Sequence, residues 1–392
     1  MNESRKSQPN LIYSYLMMAG HICCDMNQSM VPALLPFLVT LRGIDYASAA
    51  GLTFASSFLS SLIQPLLGMI SDKKQRPWLM GAGILITGIG ISAIGFIDNY
   101  WGIFAAVMFA GFGNAMFHPE GGRMANCVAG DKKGRAMSNF TVGGNIGFIL
   151  GPIIAASVVT NIGLKGTAVI LAPTLIIVAV LFAFQKKLKE ISDVSRRETL
   201  EKTISTGQKD EWPAFYILCV SIFMRSIVQS GLQTFIPLYW VGVLMQTQQR
   251  GSLMVTIMAL ASAAAAFTGG RLADKYGFRR VIRIAFAAVV PLAVFLPSTN
   301  NVLIATAAAM ILFGMNQVGH SPSVVLGQKY LSNRVGLASG ITIGLAVSIG
   351  GICSPLLGML GDAYGLTTVL YTISGVALTG FTGTLFIKKP AE

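Results

Sequence analysis

Long apolar segments separated by short polar connections occupy most of the chain. An α-helix needs roughly 20 apolar residues to cross the hydrocarbon core of a bilayer. The segments of about that length are twelve in number and cover about residues 11–40, 46–70, 77–97, 101–124, 134–160, 165–186, 212–242, 250–272, 279–297, 302–327, 334–360 and 365–387. The pattern predicts an all-α integral membrane protein with twelve transmembrane helices.

The longest polar stretch divides this pattern in the middle. Residues 185–211 hold seven basic and six acidic residues and almost no apolar ones. Such a composition favours a solvated linker, with a regulatory or lipid-contacting role of its basic residues as the alternative. We therefore predict an N-terminal six-helix bundle, residues 1–184, a cytoplasmic linker, 185–211, and a C-terminal six-helix bundle, 212–392.

The two halves repeat each other. Asp72 and Asp274 are 202 residues apart, and His118 and His320 have the same separation. Because these identical residues recur at one constant offset, the sequence indicates duplication of a six-helix unit. The two bundles are therefore expected to be pseudo-symmetric, with a substrate site between them near the middle of the membrane.

The cations are distributed unevenly between the two ends of the predicted helices. Lys and Arg number 29 against 16 Asp and Glu, a net charge of +13. Of these 29 cations, 25 lie in the terminal tails or at the even-numbered connections, whereas Arg42, Lys165 and Arg250 lie on the opposite side and Arg225 lies within a segment. Because cytoplasmic loops are rich in Lys and Arg, both termini are predicted to be cytoplasmic, in a bacterial or archaeal plasma membrane. The charge is thereby explained without a nucleic-acid partner.

Composition argues against a soluble enzyme. Only 11% of the residues are charged, whereas a soluble domain carries roughly 25%. The five cysteines lack the spacing of a disulfide framework or a zinc site, and no G-x-x-x-x-G-K-[ST] nucleotide loop occurs. We expect no cofactor, no metal ion and a monomer. A membrane-embedded enzyme or receptor is the alternative from another class, but it would need a metal cluster, an activated nucleophile or a soluble domain.

Asp25 and Glu120 are the two carboxylates inside the apolar segments. Asp25 stands about 15 residues into the first segment, near mid-bilayer at 1.5 Å per residue. His21 precedes it by four positions on the same helix face, and Gln28 and Ser29 continue that stripe. Polar residues can hold helices together, but ionisable ones more often mark a pathway. We predict that Asp25 and His21 couple protons and that Gln28 binds substrate.

Glu120 lies three residues before Arg123, so the two can form an ion pair within one helix. Either this pair packs the base of the bundle, or Glu120 titrates while Arg123 changes partner as a gate moves. His118 precedes Pro119, which removes a backbone donor and weakens the helix there. Glu120 and His118 are proton-coupling candidates and Arg123 a gating candidate. The Glu120–Arg123 pair has no counterpart in the second half, which makes it a candidate for specific coupling.

Arg225 is the one basic residue deep within an apolar segment. A buried arginine needs a partner, which can be Asp25 across the pseudo-twofold axis or an anionic substrate. Gln229 and Gln233 follow it at four-residue intervals on the same face, and His320 repeats the position of His118. Arg225, Gln229, Gln233 and His320 are therefore predicted to bind substrate.

A short motif follows the second segment and recurs after the eighth. Its glycine permits close helix approach, its aspartate can accept hydrogen bonds at a helix N-terminus, and its cations stay at the interface. We predict a gate on the side of the termini, with a simple interfacial anchor as the alternative. The motif residues are Gly68, Asp72 and Arg76 in the first copy and Gly270, Asp274 and Arg279 in the second.

The duplicated motif resembles the hallmark loop of the major facilitator superfamily, although Gln75 replaces the inner glycine of the first copy. Gly147, Gly151 and Pro152 resemble the fifth-helix motif of that superfamily's drug/proton antiporters, with alanines in place of its terminal glycine pair. This resemblance implies the fold of the superfamily and makes these three residues gating candidates.

Four segments are similar to the fosmidomycin-resistance group of exporters within that superfamily. They read H-x-x-x-D-M-x-Q-S, S-S-L-I-Q-P, F-H-P-E-x-x-R and V-G-G-N-x-G, at residues 21–29, 60–65, 117–123 and 142–147. The last contains Asn145, a further substrate-binding candidate. Arg225 falls where that group carries a lysine, so a cation is retained. His320 matches no residue of that group.

The resemblance implies a proton-driven carrier that alternates access between two bundles and exports a small organic anion or drug, such as a phosphonate. Protonation of Asp25 or Glu120 would weaken a contact with Arg225 or Arg123 and shift the inward/outward equilibrium. The alternative is a proton symporter that imports an organic acid or sugar, because the duplicated motif fits either direction.

Overall fold

The computed structural model describes residues 11–73, 76–128, 133–200, 210–331, 334, 337–338 and 340–389, and these are almost entirely helical. The α-helices are α1 (Leu11–Arg42), α2 (Tyr46–Lys73), α3 (Trp78–Ala93), α4 (Tyr100–Cys127), α5 (Lys133–Ile162), α6 (Leu171–Ala183), α7 (Gln185–Leu200), α8 (Trp212–Gly242), α9 (Gln248–Tyr276), α10 (Phe278–Phe295), α11 (Val302–Val318), α12 (His320–Tyr330), α13 (Ala346–Tyr364) and α14 (Leu366–Leu385). Three 3₁₀ turns, Ile94–Phe96, Leu164–Ile170 and Leu296–Ser298, and a π-helical turn, Gly340–Leu345, adjoin α3, α6, α10 and α13.

Within the described residues, twelve stretches are long and apolar enough to cross a membrane. Helices α11 and α12 together form one of them, Val302–Tyr330, and α7 forms none. The twelve-helix prediction is confirmed. Because twelve spans alternate in direction, both ends of the described chain lie at one end of the bundle, here called the termini end; the other is the distal end.

Polar caps start several helices at the distal end. The Asn99 side chain accepts a hydrogen bond from the backbone N–H of Gly102 at 2.7 Å, and the Asn301 side chain accepts from Leu303 at 3.0 Å. These contacts satisfy backbone donors that the first turn of a helix leaves unpaired. The chain can therefore reverse within a few residues, which keeps successive spans adjacent.

The two proline-containing spans differ. Helix α4 continues through Pro119, whereas the corresponding span in the second half is interrupted at Gly319, between α11 and α12. The hydroxyl of Ser323 donates to the Gly319 carbonyl at 2.6 Å, which satisfies an acceptor near the break. The predicted weakening of the helix beside the histidine is therefore seen at His320, and not as a break at His118.

Helices α1 to α6 pack on one another, and so do α8 to α14, while the two groups meet mainly where α2 contacts α13 and α5 contacts α9. Helix α1 also contacts α8 and α9. A single buried apolar cluster contains residues of both groups. The polar residues discussed below lie along the inner faces of α1, α4, α5, α8 and α11.

The first part of the predicted solvated linker is ordered and partly buried. Residues Gln185–Leu200 form α7, in which Leu188 and Ser192 are fully buried. Leu188 and Ile191 lie three positions apart on one face and pack against the core cluster, next to α4 and α6. Two apolar residues among many charges make too weak a pattern for this face to be predicted from the sequence. The proposed division into domains remains a prediction.

Candidate functional site

Asp25, His21 and His118 form a compact cluster at the centre of the first bundle. His21 Nε2 lies 3.1 Å from Asp25 Oδ2, and His118 Nε2 lies 3.3 Å from Asp25 Oδ1. Asp25 is 3% exposed. A buried carboxylate is costly unless it is paired, and here two imidazoles face its two oxygens. The structure thus places three of the four proton-coupling candidates together.

The backbone determines how a proton can sit in this cluster. His21 Nδ1 lies 2.7 Å from the carbonyl oxygen of Phe140 on α5. Because a carbonyl only accepts hydrogen bonds, Nδ1 carries a hydrogen. The facing atoms Nε2 of His21 and Oδ2 of Asp25 must then share a proton, held either as imidazolium and carboxylate or as imidazole and carboxylic acid. The pair is therefore built to hold one exchangeable proton.

Glycines on α5 make this close packing possible. A Cβ atom at Gly144 would lie 2.7 Å from Asp25 Oδ2, and one at Gly147 would lie 2.5 Å from the Ile22 carbonyl oxygen. At Gly151 it would lie 2.1 Å from Ser29 Oγ. Small residues allow transmembrane helices to approach closely. The V-G-G-N-x-G segment and the Gly147–Gly151 motif are thus the surface of α5 against which α1 packs.

Gly144→Ala is expected to lower the melting temperature of the purified protein and to impair transport. The added methyl group meets the Asp25 carboxylate and the His21 ring, and overpacking of this kind costs about 1–3 kcal/mol. Gly375→Ala on α14 is the control, because a Cβ there has nothing within 4 Å. Equal melting temperatures for the two variants would contradict the tight contact.

A cavity of about 390 Å³ lies between the two bundles. Its polar lining comes from both halves. The predicted substrate-binding residues Gln28, Asn145, Arg225, Gln229, Gln233 and His320 all line it. Among the described residues around it, the ionisable ones are Arg225 and His320, and no carboxylate is present. The cavity therefore has the electrostatic character of an anion site.

Arg225 is held at the cavity wall by neutral partners. Its Nη1 donates to Gln317 Oε1 at 3.1 Å, and Gln317 Nε2 donates to Ser262 Oγ at 2.8 Å. Arg225 is 4% exposed, and its Nε has no hydrogen-bond partner in the described part of the chain. An arginine carries five N–H donors, so most of its donor capacity remains for a ligand.

Of the two partners that the sequence left open for Arg225, Asp25 is not the one found. The carboxylate of Asp25 faces the two histidines, whereas the guanidinium bonds to Gln317 on α11. The reason is local: His21 and His118 already surround the carboxylate within the first bundle. The mechanism that required a direct Asp25–Arg225 contact is not supported by this arrangement.

Each half of the chain contains one hydrogen bond between two amide side chains, at equivalent positions of the repeat. Asn114 Nδ2 donates to Gln28 Oε1, and Asn316 Nδ2 donates to Gln229 Oε1 at 2.8 Å. Asn114 and Asn316 are 202 residues apart, the same offset as the two histidines. Neither asparagine is among the residues predicted from the sequence, although this shared offset is a signal that points to both.

Glu120 and Arg123 form a closed pair away from the cavity. Glu120 is fully buried; Arg123 Nε donates to its Oε2 at 3.1 Å, and Arg123 Nη2 contacts its Oε1. Arg123 Nη1 also reaches Ser192 Oγ on α7 at 2.5 Å. Both carboxylate oxygens are occupied, so this geometry favours the packing alternative. A proton-coupling role for Glu120 remains a prediction.

The two copies of the gating motif can be compared with the prediction to different extents. In the first copy most side chains lie outside the described part of the structure, and in the second copy the helix contact is made by a different glycine. The backbone of Gly68 and Asp72 belongs to α2, and Arg76 lies in the turn before α3. A Cβ at Gly270 would meet nothing within 4 Å, whereas one at Gly269 would lie 2.5 Å from the Val318 carbonyl oxygen. One residue turns a helix by about 100°, so the close approach expected at Gly270 is found at Gly269 instead, while the gating role of Gly270 remains a prediction.

Asp274 is exposed and makes no hydrogen bond with another described residue, so the predicted contact with a helix N-terminus is not found there. Arg279 is half-buried and lines a separate pocket. Pro152 lies within α5 without ending it. The gating roles of these residues remain predictions.

A carboxylate does cap a helix across the bundles, but at the distal end. Asp362 Oδ1 accepts from the Tyr46 amide at 2.8 Å and its Oδ2 from the Ala47 amide at 2.9 Å. A Cβ at Gly358 would lie 2.6 Å from Ala47 Cα. Helices α13 and α2 are therefore in contact at the distal end. Asp362 stands four residues after Gly358, as Asp274 does after Gly270, but it lacks the basic residues of the motif and is not among the sequence-predicted gating residues.

The ligand atoms of His21, Asp25 and His118 lie within 4.8 Å of one another, a spacing that could also hold a metal ion. The direct hydrogen bond between His21 and Asp25 already occupies two of these atoms. A proton is therefore the simpler occupant, and the absence of a metal site remains a prediction to be tested with a chelator.

Comparison with known proteins identifies the family. The sequence profile described as Major Facilitator Superfamily matches residues 17–355 and 218–392. The chain belongs to this superfamily. It is thus a multi-pass membrane transporter of small molecules, and the prediction that it is not an enzyme is confirmed by its relatives.

Two relatives in the superfamily match nearly the whole chain. An uncharacterized MFS-type transporter of Bacillus subtilis, YfnC, is 31% identical over 377 residues, which cover 94% of this chain and 91% of the relative. The fosmidomycin resistance protein of Escherichia coli is 26% identical over 363 residues, with 92% and 89% covered. The predicted resemblance to the superfamily and to this group is confirmed.

A solved structure supports the fold. The bacterial homologue of the human lysosomal transporter Spinster, in an inward-facing and occupied conformation, superposes with a TM-score of 0.76 at 13% identity, covering 97% of this chain and 95% of that one. At this identity the match shows that the two proteins share the superfamily fold.

Proposed function

We propose that the protein is a proton-coupled antiporter that exports a small organic anion or drug. The observation that carries this proposal is that a site suited to an anion and a site suited to a proton lie close together on the same helices. A cavity between the bundles has Arg225 and His320 but no carboxylate among its described lining residues, and a carboxylate–histidine cluster lies about one helical turn away. The first suits an anion and the second suits a proton.

The proposed substrate class follows from the donors of the cavity. Arg225 offers a guanidinium, which binds carboxylate and phosphonate groups bidentately, and Gln229, Gln233 and Asn145 offer amides for further polar groups. One relative is named a fosmidomycin resistance protein, and a carrier confers resistance when it lowers the internal concentration of a drug. A phosphonate such as fosmidomycin is therefore the first probe.

The amide pair between α1 and α4 provides a route for coupling. Asp25 and Gln28 lie three residues apart on α1, and their partners His118 and Asn114 lie four apart on α4. When a proton neutralises the Asp25 carboxylate, its electrostatic attraction for His118 falls, so the contact between α4 and α1 weakens and the Asn114–Gln28 pair loosens. Because Gln28 lines the cavity, proton binding then disfavours the loaded cavity, as exchange requires.

The contact at the distal end supports alternating access. If the termini are cytoplasmic, as the cation distribution predicts, Asp362 and the α2 N-terminus close the cavity toward the outside. The proposed cycle opens this contact and closes the termini end. The protein is proposed to act as a monomer in the cell membrane, because each chain contains both bundles and the complete cavity.

Proton symport with import of an organic acid is the second candidate. A proton added to the cluster raises the positive charge near the cavity, and by Coulomb's law alone this favours an anion in it. Because the cluster lies only about one helical turn from the cavity and on the same helices, a bound proton can either favour or disfavour a bound anion. Antiport is preferred because of the α5 glycine motif and the resistance relative.

The test uses purified protein in liposomes that contain a pH-sensitive dye. Fosmidomycin added outside should make the interior more alkaline if the substrate enters as protons leave, which is antiport run in reverse. Acidification would establish symport instead. Protein-free liposomes are the control. A substrate flux that carries no proton signal at any pH gradient would refute proton coupling altogether.

A further inference from the structure

A second cavity, of about 690 Å³, lies at the termini end of the second bundle. It is bounded by the end of α9, the start of α10, helix α12 and the segment after α14. Among the described residues that line it, five are cations and none is a carboxylate. They are Arg279, Arg280, Arg283, Lys329 and Lys389.

The internal partners of these cations are neutral and few. Arg283 donates to the carbonyl oxygens of Thr384 at 3.0 Å and Leu385 at 2.7 Å, where α14 ends. The Lys329 ammonium lies 4.5 Å from the centre of the Phe278 ring. Neither contact removes a positive charge, so the five cations repel one another within one pocket.

The two arginines at the start of α10 add unused donors. Arg279 and Arg280 have no ion-pair partner among the described residues, and Arg279 Nε is buried there without a hydrogen-bond partner. The first turn of α10 also presents backbone N–H groups, a favourable position for an anion. The pocket thus has charge and hydrogen-bond donors that an anionic group would satisfy.

The position of the pocket indicates what carries that anionic group. The membrane spans formed by α9 and α10 end at Tyr276 and begin at Phe278, so the pocket lies at the level of the bilayer interface. The exposed side chains of Tyr276 and Ile284 belong to the same lining and present apolar surface beside the cations. A ligand with a phosphate and adjoining hydrocarbon chains fits both surfaces.

We propose that this pocket binds the phosphate-bearing headgroup of an anionic phospholipid. Basic pockets between transmembrane helices at the cytoplasmic face recognise such headgroups. The Arg279, Arg280, Lys329 and Lys389 side chains contact the phosphate, and the acyl chains lie along Ile284. The site is separate from the inter-bundle cavity and does not depend on which substrate is transported.

The test measures lipid binding to the purified full-length protein by native mass spectrometry, with phosphatidylglycerol, phosphatidylcholine and soluble glycerol phosphate as ligands. The variant Arg280→Gln with Lys329→Gln should bind phosphatidylglycerol about thirtyfold more weakly, because each cation contributes about fivefold. The control is Lys186→Gln with Lys189→Gln, which removes two exposed cations of α7 outside the pocket.

Selective loss in the pocket variant alone supports the proposal. Equal loss in both variants would show unspecific surface attraction and overturn it. So would phosphatidylcholine binding as tightly as phosphatidylglycerol, whereas glycerol phosphate binding equally well would assign the pocket to a soluble phosphate ester. Melting temperatures in phosphatidylcholine check folding. Lys389→Gln, which alters an exposed residue of the segment after α14, provides a second test with about a fivefold loss if the double variant is unstable.

Discussion

Asp25→Asn is expected to abolish transport driven by a pH gradient in proteoliposomes while substrate exchange without a gradient persists. Asparagine has the size of aspartate but cannot take up and release a proton. His21 keeps its contact with the Phe140 carbonyl, so the local packing is retained. The proton shared between His21 Nε2 and Asp25 Oδ2 loses its acceptor, and with it the step that couples the gradient to the substrate. Proton flux and counterflow of labelled substrate, measured side by side, separate these effects.

The matched control is Asp98→Asn, which changes an exposed carboxylate paired with Arg42 near the distal end. It should leave both activities unchanged. Glu120→Gln should mainly destabilise the protein, since it breaks a buried pair with Arg123. Full proton-driven transport by both Asp25→Asn and Glu120→Gln would end the coupling hypothesis. Loss of wild-type transport on addition of a chelator would instead show that the cluster holds a metal ion.

The sequence predicts the fold well because its signals are local. Apolar length gives the twelve spans, and an offset of 202 residues gives the repeat. The shared face of His21 and Asp25 also follows from a four-residue spacing within one helix. The spans and the shared face are each determined within a single helix, and the repeat is a comparison of one sequence segment with another, so none of these features depends on how helices pack together.

Contacts between helices are harder to predict, because they depend on how each helix is rotated about its axis. The pairing of His118 with Asp25 needs the packing of α4 on α1, which no spacing along the chain determines. For the same reason the sequence allows two partners for Arg225, and the observed partner, Gln317, is neither of them. The close approach to a neighbouring helix is expected at Gly270 and found at Gly269, which means that α9 is rotated about its axis by one residue relative to the expectation.

The two halves diverge at the positions where their chemistry lies. Gln28–Asn114 and Gln229–Asn316 are equivalent pairs, and His118 and His320 are equivalent histidines. In this helix pair the offset is 201 residues, as between Gln28 and Gln229, so the position of Asp25 corresponds to Ser226, next to Arg225. One duplicated frame thus carries an acid beside its histidine in the first bundle and a guanidinium near its histidine in the second. This asymmetry lies closer to the cavity than the one at Glu120 and Arg123.

Arg225→Gln is expected to weaken binding of an anionic substrate at least about thirtyfold, because the anion loses its charged partner in a desolvated site, a change that costs about 2 kcal/mol or more. Arg225→Lys should retain part of the affinity, since a charge remains but the bidentate fork is lost. Gln317 and Ser262 remain as neutral groups in both variants. Thermal stabilisation by fosmidomycin and by other small anions, titrated over concentration, gives the affinities.

The charge series distinguishes an anion site from a structural arginine. A structural role predicts that the melting temperature without ligand falls in both variants while the affinity of the folded protein stays the same. A substrate role predicts the reverse, with affinity falling in the order Arg, Lys, Gln at nearly constant stability. Gln233→Ala provides the neutral control at the same cavity wall, because it removes an amide and leaves the guanidinium. Tighter binding of cationic compounds by wild type than by Arg225→Gln would contradict the proposed substrate class, since a buried cation repels another cation.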